Sequence, residues 1–291
     1  MECVTMSYQI FTDSCCDFSP EFYEKLDLRY VPLSLEFRGQ VTDDRNDDSL
    51  KELYDGLRAG EPAKTSAINP TRWSEAMEPV LAAGQDILVL AFSSGLSTTY
   101  QSAVIAAEEL KESYPDRTIR VVDTLSASLG QGLLVWYACQ KRDAGMSLDE
   151  VADWVEENKL HLCHWFTVDD LMYLKRGGRV NAATALVGTM LQIKPLLHVD
   201  DEGHLISMTK ARGRKAAMDA LVRKAQELGE GCENSTMFLS HGDCREDAEY
   251  VARQLKEKCG VKEVVIGYIG SVIGSHAGPG TLALFFMGKH R

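Results

Sequence analysis

Residues 86–92 read DILVLAF, a continuous apolar run of strand length. Successive side chains of a strand point to opposite faces, so a half-exposed strand alternates apolar with polar residues. A run without alternation has both faces covered, as in a parallel sheet packed between helices. The neighbouring segments fit such a sheet. Strand-like stretches at 7–11, 30–37 and 119–122 interleave with helical patterns at 20–26, 49–58, 98–113 and 125–144. This β-α alternation specifies a doubly wound α/β domain with a mainly parallel sheet flanked by helices.

A further amphipathic helix over 146–158, capped by Ser147, brings the chain to residue 160, where the pattern changes. An apolar extended stretch covers 164–168. Strands at 196–199 and 204–211 flank Asp200-Asp201-Glu202-Gly203, a hairpin sequence. Helix, strand, helix and strand then follow at 214–228, 236–240, 245–258 and 263–269. The expected division is an N-terminal α/β domain over 1–160 and a C-terminal α/β domain with a mixed sheet over 161–291. A chain of 291 residues, 45% of them hydrophobic, is long enough for two cores.

The formal net charge of −12 opposes binding to nucleic acid or to an anionic membrane surface. No apolar run reaches the roughly 20 residues that cross a bilayer, and no signal-peptide pattern opens the sequence. The 8 cysteines form no CxxC pair and no Cys/His grouping with zinc spacing. A cytoplasmic protein with reduced thiols, no metal and no cofactor is expected.

Several segments end in small hydroxyl or acidic residues: Thr12-Asp13-Ser14, the Ser93-Ser94-Gly95-Leu96-Ser97-Thr98 loop, Asp123-Thr124 with Ser126, and Thr65-Ser66-Ala67-Ile68-Asn69-Pro70. Ligands of open parallel sheets bind beyond the carboxyl ends of the strands, where helix N-termini favour an anion. Each site alone also reads as an ordinary helix cap; four in one domain point to an anion pocket. Near the C-terminus, Ile273-Gly274-Ser275-His276-Ala277-Gly278-Pro279-Gly280 fixes an irregular path around one histidine. The rival histidine, His241, reads as part of a strand-end turn.

Taken in order, these segments resemble the DegV family. The matching residues are Thr12-Asp13-Ser14, Thr65-Ser66 with Pro70, Ser93-Ser94-Gly95-Leu96-Ser97, Asp123-Thr124, Leu174-Lys175-Arg176-Gly177-Gly178-Arg179, Lys194-Pro195, and Gly274 to Gly280 around His276. The resemblance implies a two-domain DegV-like fold that binds a long-chain fatty acid. Members of the FakB type present the acid to a fatty acid kinase, which makes acyl phosphate for phospholipid synthesis. Carried over by motif, the carboxylate contacts are Thr65, Ser93 or Ser94, and His276, with Asp13, Ser14, Ser97, Asp123 and Gly278 in supporting loops. The resemblance links a basic pair after the hairpin to the kinase, here Arg212 and Arg214. Gly213 stands where the family often has Thr.

Physical chemistry fits such a ligand. A tail of about sixteen carbons gains on the order of 10 kcal/mol on leaving water, at about 0.8 kcal/mol per CH₂. Residues 182–197 and 281–287 are candidates to line its tunnel. A buried carboxylate must be hydrogen-bonded or it protonates. Neutral donors from Thr65, Ser94 and His276 would hold it without an Arg clamp and leave it accessible for transfer. Other readings differ in class. A serine hydrolase would use Ser94 and His276, with Asp243 as a third member, although Phe92 breaks the G-x-S-x-G pattern. A nucleotide-dependent phosphotransferase lacks a P-loop. A small-molecule sensor would share the pocket and shorten the tunnel.

Overall fold

A computed structural model of the chain describes residues 8–44, 49–180, 193–229 and 235–291. Three sheets carry thirteen strands among these residues. Their strands are β1 (Tyr8–Asp13), β2 (Arg29–Val31), β3 (Ser34–Phe37), β4 (Gln40–Asp43), β5 (Ala63–Ser66), β6 (Asp86–Ala91), β7 (Ile119–Asp123), β8 (Leu162–Thr167), β9 (Ile193–Val199), β10 (Leu205–Arg212), β11 (Thr236–His241), β12 (Glu263–Tyr268) and β13 (Leu282–Met287). The helices are α1 (Pro20–Lys25), α2 (Leu50–Arg58), α3 (Pro70–Ala82), α4 (Thr99–Ser113), α5 (Ser128–Asp143), α6 (Leu148–Asn158), α7 (Met172–Arg176), α8 (Arg214–Leu228), α9 (Arg245–Cys259) and α10 (Ser271–Ala277).

The first sheet is parallel, in the order β2-β1-β6-β7. β6 takes up the DILVLA part of the run, and the cores on both of its faces explain the missing alternation. Leu88 and Leu90 join the core shared with α5, whereas Ile87, Val89 and Ala91 join the one under α3 and α4. The second sheet runs β10-β9-β8-β13-β11-β12 and is mixed, with only the β11–β12 pair parallel. β13 divides its residues by parity. Ala283 and Phe285 face the core around α5, and Leu282, Leu284 and Phe286 face the core under α8 and α9. Helix α5 therefore packs between the two large sheets, and one apolar cluster runs from Leu88 through Leu133 to Phe238. No helix among the described residues is long and apolar enough to cross a membrane.

Two expectations change here. Residues 30–37 are not one strand: Pro32, which has no N–H to donate, separates β2 from β3. The two segments go to different sheets, β3 pairing with β4 and β5 in a small antiparallel sheet. β4 and β5 are short and largely exposed, so they carry no apolar period to read. Helix α3 adds to the expected elements, and its signals are clear. Pro70 opens it, and the Asn69 side chain accepts from Arg72 N at 2.9 Å. The small sheet positions the site, because α10, from the far end of the chain, packs on β3, β5 and α2.

Candidate functional site

Where the first sheet, the small sheet and the six-stranded sheet meet there is a cavity of about 390 Å³. That lies within the range of small-molecule pockets. Most of its wall is apolar, with Phe92, Leu96, Val272 and Ala277 from one side and Phe166 and Phe285 from the other. Thr65, Ser94, Arg179 and His276 gather polar atoms in the same wall.

Thr65 is on β5, held by pairing with Leu35 of β3. His276 occupies the last turn of α10. The expected irregular glycine loop begins only after it, where Gly278, at φ 82, stops the helix and bonds to Gly274 O at 2.8 Å. The left-handed conformation and the Tyr173 ring, which a Cβ would meet at 2.5 Å, both demand glycine there. Thr65 Oγ1 and His276 Nε2 lie 2.7 Å apart. The other face of the imidazole rests on Gly177, where any Cβ would overlap Nδ1. Burial, and then the nearby Arg179 charge, push the His276 pKa down to about 4, so the ring is neutral at pH 7.

Two carboxylates shape the serine loop. Asp13 Oδ2 accepts from Phe92 N at 2.7 Å and Asp13 Oδ1 from Cys15 N at 3.1 Å. Asp123 Oδ1 accepts from Ser94 N at 3.2 Å and from Leu125 N at 3.0 Å. Burial raises the Asp13 carboxyl to about 7. Ser94 faces the cavity. Ser93 does not; buried behind it, Ser93 donates its hydroxyl to Gly203 O at 3.0 Å and accepts from Gly95 N at 3.2 Å. Among the supporting residues, Ser14 Oγ accepts from Leu33 N at 3.0 Å, and Ser97 Oγ pairs with Thr99 Oγ1 at 2.9 Å.

The DegV family model, whose description is that of an uncharacterised protein, matches residues 7–289. The chain belongs to the DegV family. A DegV domain-containing protein of Clostridium perfringens is 47% identical over 283 residues, covering 97% of each chain. A DegV family protein of Thermus thermophilus, solved for its fatty acid binding, has a TM-score of 0.88 at 30% identity, covering 97% of this chain and 100% of that one. The fatty acid kinase B3 protein of Streptococcus pneumoniae, solved with linoleic acid, has a TM-score of 0.85 at 21% identity, covering 97% and 99%. That last likeness is one of fold.

Other features of this DegV chain depart from the sequence reading. Arg179, to which its motif assigns no role, places its side chain in the cavity lining. Nε and Nη2 donate to Leu96 O at 3.2 Å, and Nη1 donates to Gly177 O. The polar part of the cavity wall thus includes a cation alongside Thr65, Ser94 and His276. The signal was a basic residue directly after two glycines. Of the proposed tunnel segments, 182–192 lie outside the described residues; in the other segment Thr281, Ala283 and Phe285 line the cavity and their alternates do not. Arg212 is exposed at the end of β10, whereas Arg214 is held by Asp247 at 2.8 Å and Asp169 at 3.5 Å. Lys215 meets Asp219 at 3.2 Å and the Tyr250 hydroxyl at 2.7 Å. Asp169, Asp247 and Asp219 thereby offset cations at a helix N-terminus, where the macrodipole disfavours them.

The hydrolase arrangement is not assembled. His276 Nε2 faces Thr65, and no hydrogen bond among the described residues joins it to Ser94. Asp243 bonds instead to Arg58 at 2.5 Å and to the Tyr268 hydroxyl at 3.1 Å. Asp200, Glu202 and His204 are close enough to share an ion, but they form the exposed β9–β10 turn, where Asp200 Oδ1 already accepts from Glu202 N and His204 N.

Proposed function

We propose that this chain is a carrier that binds a long-chain fatty acid and offers its carboxylate to a fatty acid kinase. One observation carries the reading. Thr65, Arg179 and His276 line both the apolar cavity and an outer cleft of about 420 Å³ bounded by Lys64 and Arg176. A carboxylate between them would have its tail in oil and its oxygens at the boundary with solvent. The neutral His276 ring, donating from Nε2, would orient the Thr65 hydroxyl towards one oxygen. Ser94 would donate to the other, and Arg179 would add positive potential without a bidentate pair. In this reading His276 would act through Thr65 and not by the direct donation expected from its motif.

A kinase reaching the outer cleft would transfer the γ-phosphoryl group of ATP to a carboxylate oxygen, releasing ADP and leaving an acyl phosphate on the carrier. Arg212 is the exposed basic candidate for that contact. Arg214, locked by its acids, would shape the surface around it. The fatty acid binding of the Thermus thermophilus relative supports the ligand, and the fold of the kinase B3 protein supports the partner.

The test is native mass spectrometry of the purified protein with identification of any co-purified lipid, followed by affinity measurements on variants. Thr65→Ala and Ser94→Ala should each weaken fatty acid binding by about tenfold, the equivalent of one charge-assisted hydrogen bond. Unchanged affinity in both would remove the carboxylate from this place.

A further inference from the structure

The cavity wall contributed by the six-stranded sheet contains a polar side chain for which a plain hydrocarbon tail has no use. On β8, Cys163 and Trp165 face the core under α8, whereas His164 and Phe166 face the cavity. His164 is 1% exposed. Its ring stands edge-on to Phe285, the residue paired with it on β13, with centroids 5.6 Å apart. α5 presents Gly130 against both rings, where a Cβ would overlap the imidazole and Phe285 alike. The ring is thus buried in close contact with both α5 and β13.

Both ring nitrogens, Nδ1 and Nε2, are buried and have no hydrogen-bond partner among the described residues. The neighbouring His198 Nδ1 bonds to the backbone carbonyl of His164 at 3.1 Å and leaves the imidazole unmet. Burial holds its pKa well below the ordinary value, so the ring is neutral, with one N–H donor and one lone pair. Desolvating both without a partner costs free energy that a Leu or Phe at this position would not incur.

We propose that the preferred ligands of this cavity are long-chain acids bearing a hydroxyl along the acyl chain, bonded to His164. A hydroxyl both donates and accepts, so it satisfies a neutral imidazole in either tautomer. The inference rests on the fatty acid reading above and narrows it to a class of acid. His164 is then a specificity residue, separate from the head-group contacts.

The experiment measures dissociation constants of delipidated wild type, His164→Phe and His164→Gln. The ligands are octadecanoic acid, its positional hydroxy isomers and a cis-monounsaturated acid of equal length. For at least one isomer, the preference for the hydroxylated over the plain acid should be about tenfold greater in wild type than in His164→Phe. His164→Gln, which keeps a donor and an acceptor, should retain part of it; this variant also serves if the phenylalanine disturbs folding. Equal preferences in all three proteins for every isomer would overturn the proposal. So would a lost preference that concerned the unsaturated acid. If no acid binds wild type at all, the carrier reading itself falls, and this inference with it.

Discussion

His276 shows how one side chain's surroundings decide its chemistry. Its pKa of about 4 lies below that of a solvated histidine, near 6.5. A group whose folded pKa is depressed in this way binds its proton more readily when the chain unfolds. Its neutral form contributes stability that is complete above pH 6.5 and is lost as pH falls through 6.5 towards 4. Between pH 7 and pH 4.5, wild type should therefore lose about 2 kcal/mol more unfolding free energy than His276→Gln. Urea titrations at the two pH values measure this; parallel losses would mean that the ring is not desolvated. The same burial makes the histidine a neutral partner for Thr65, which its motif alone did not specify.

At the scale of elements, the β9–β10 hairpin of the six-stranded sheet reaches across to the serine loop that follows β6. Its contact runs through Ser93, which bonds Gly203 O and receives Gly95 N. Ser93→Ala should leave the buried Gly203 carbonyl and the half-buried Gly95 N–H short of a partner and cost about 1–3 kcal/mol of stability. Its effect on fatty acid affinity should be smaller than that of Ser94→Ala, which removes a cavity hydroxyl and little packing. Thermal unfolding and ligand titration of both variants check the crossing. A loss of binding without loss of stability in Ser93→Ala would reverse the two assignments. From sequence the two serines were equivalent, since adjacent residues of a loop share every local signal. Only the hairpin's approach distinguishes them.

For the molecule as a whole, α5 lies in a single apolar cluster that includes residues of both large sheets. Leu133→Ala, at a fully buried position, should cost about 2–5 kcal/mol and lower amide protection in β6 and β13 by the same amount. Hydrogen exchange resolved by segment tests this, and a loss confined to one sheet would show that the sheets do not share a core. What the sequence determined by itself was local. The unbroken apolar run of β6, the Asp200–Gly203 turn, and the hydroxyl and acidic residues at strand ends follow from the period of side chains along a backbone and from turn geometry. The short strands of the small sheet escaped that reading because exposed edges have no apolar period. The site itself was decided only in three dimensions. Thr65 and His276 are 211 positions apart, and Arg179 enters the same wall from a third segment. No local rule spans such distances: the desolvation that neutralises His276, and that leaves the His164 ring without a partner among the described residues, exists only once the sheets and helices have closed around them.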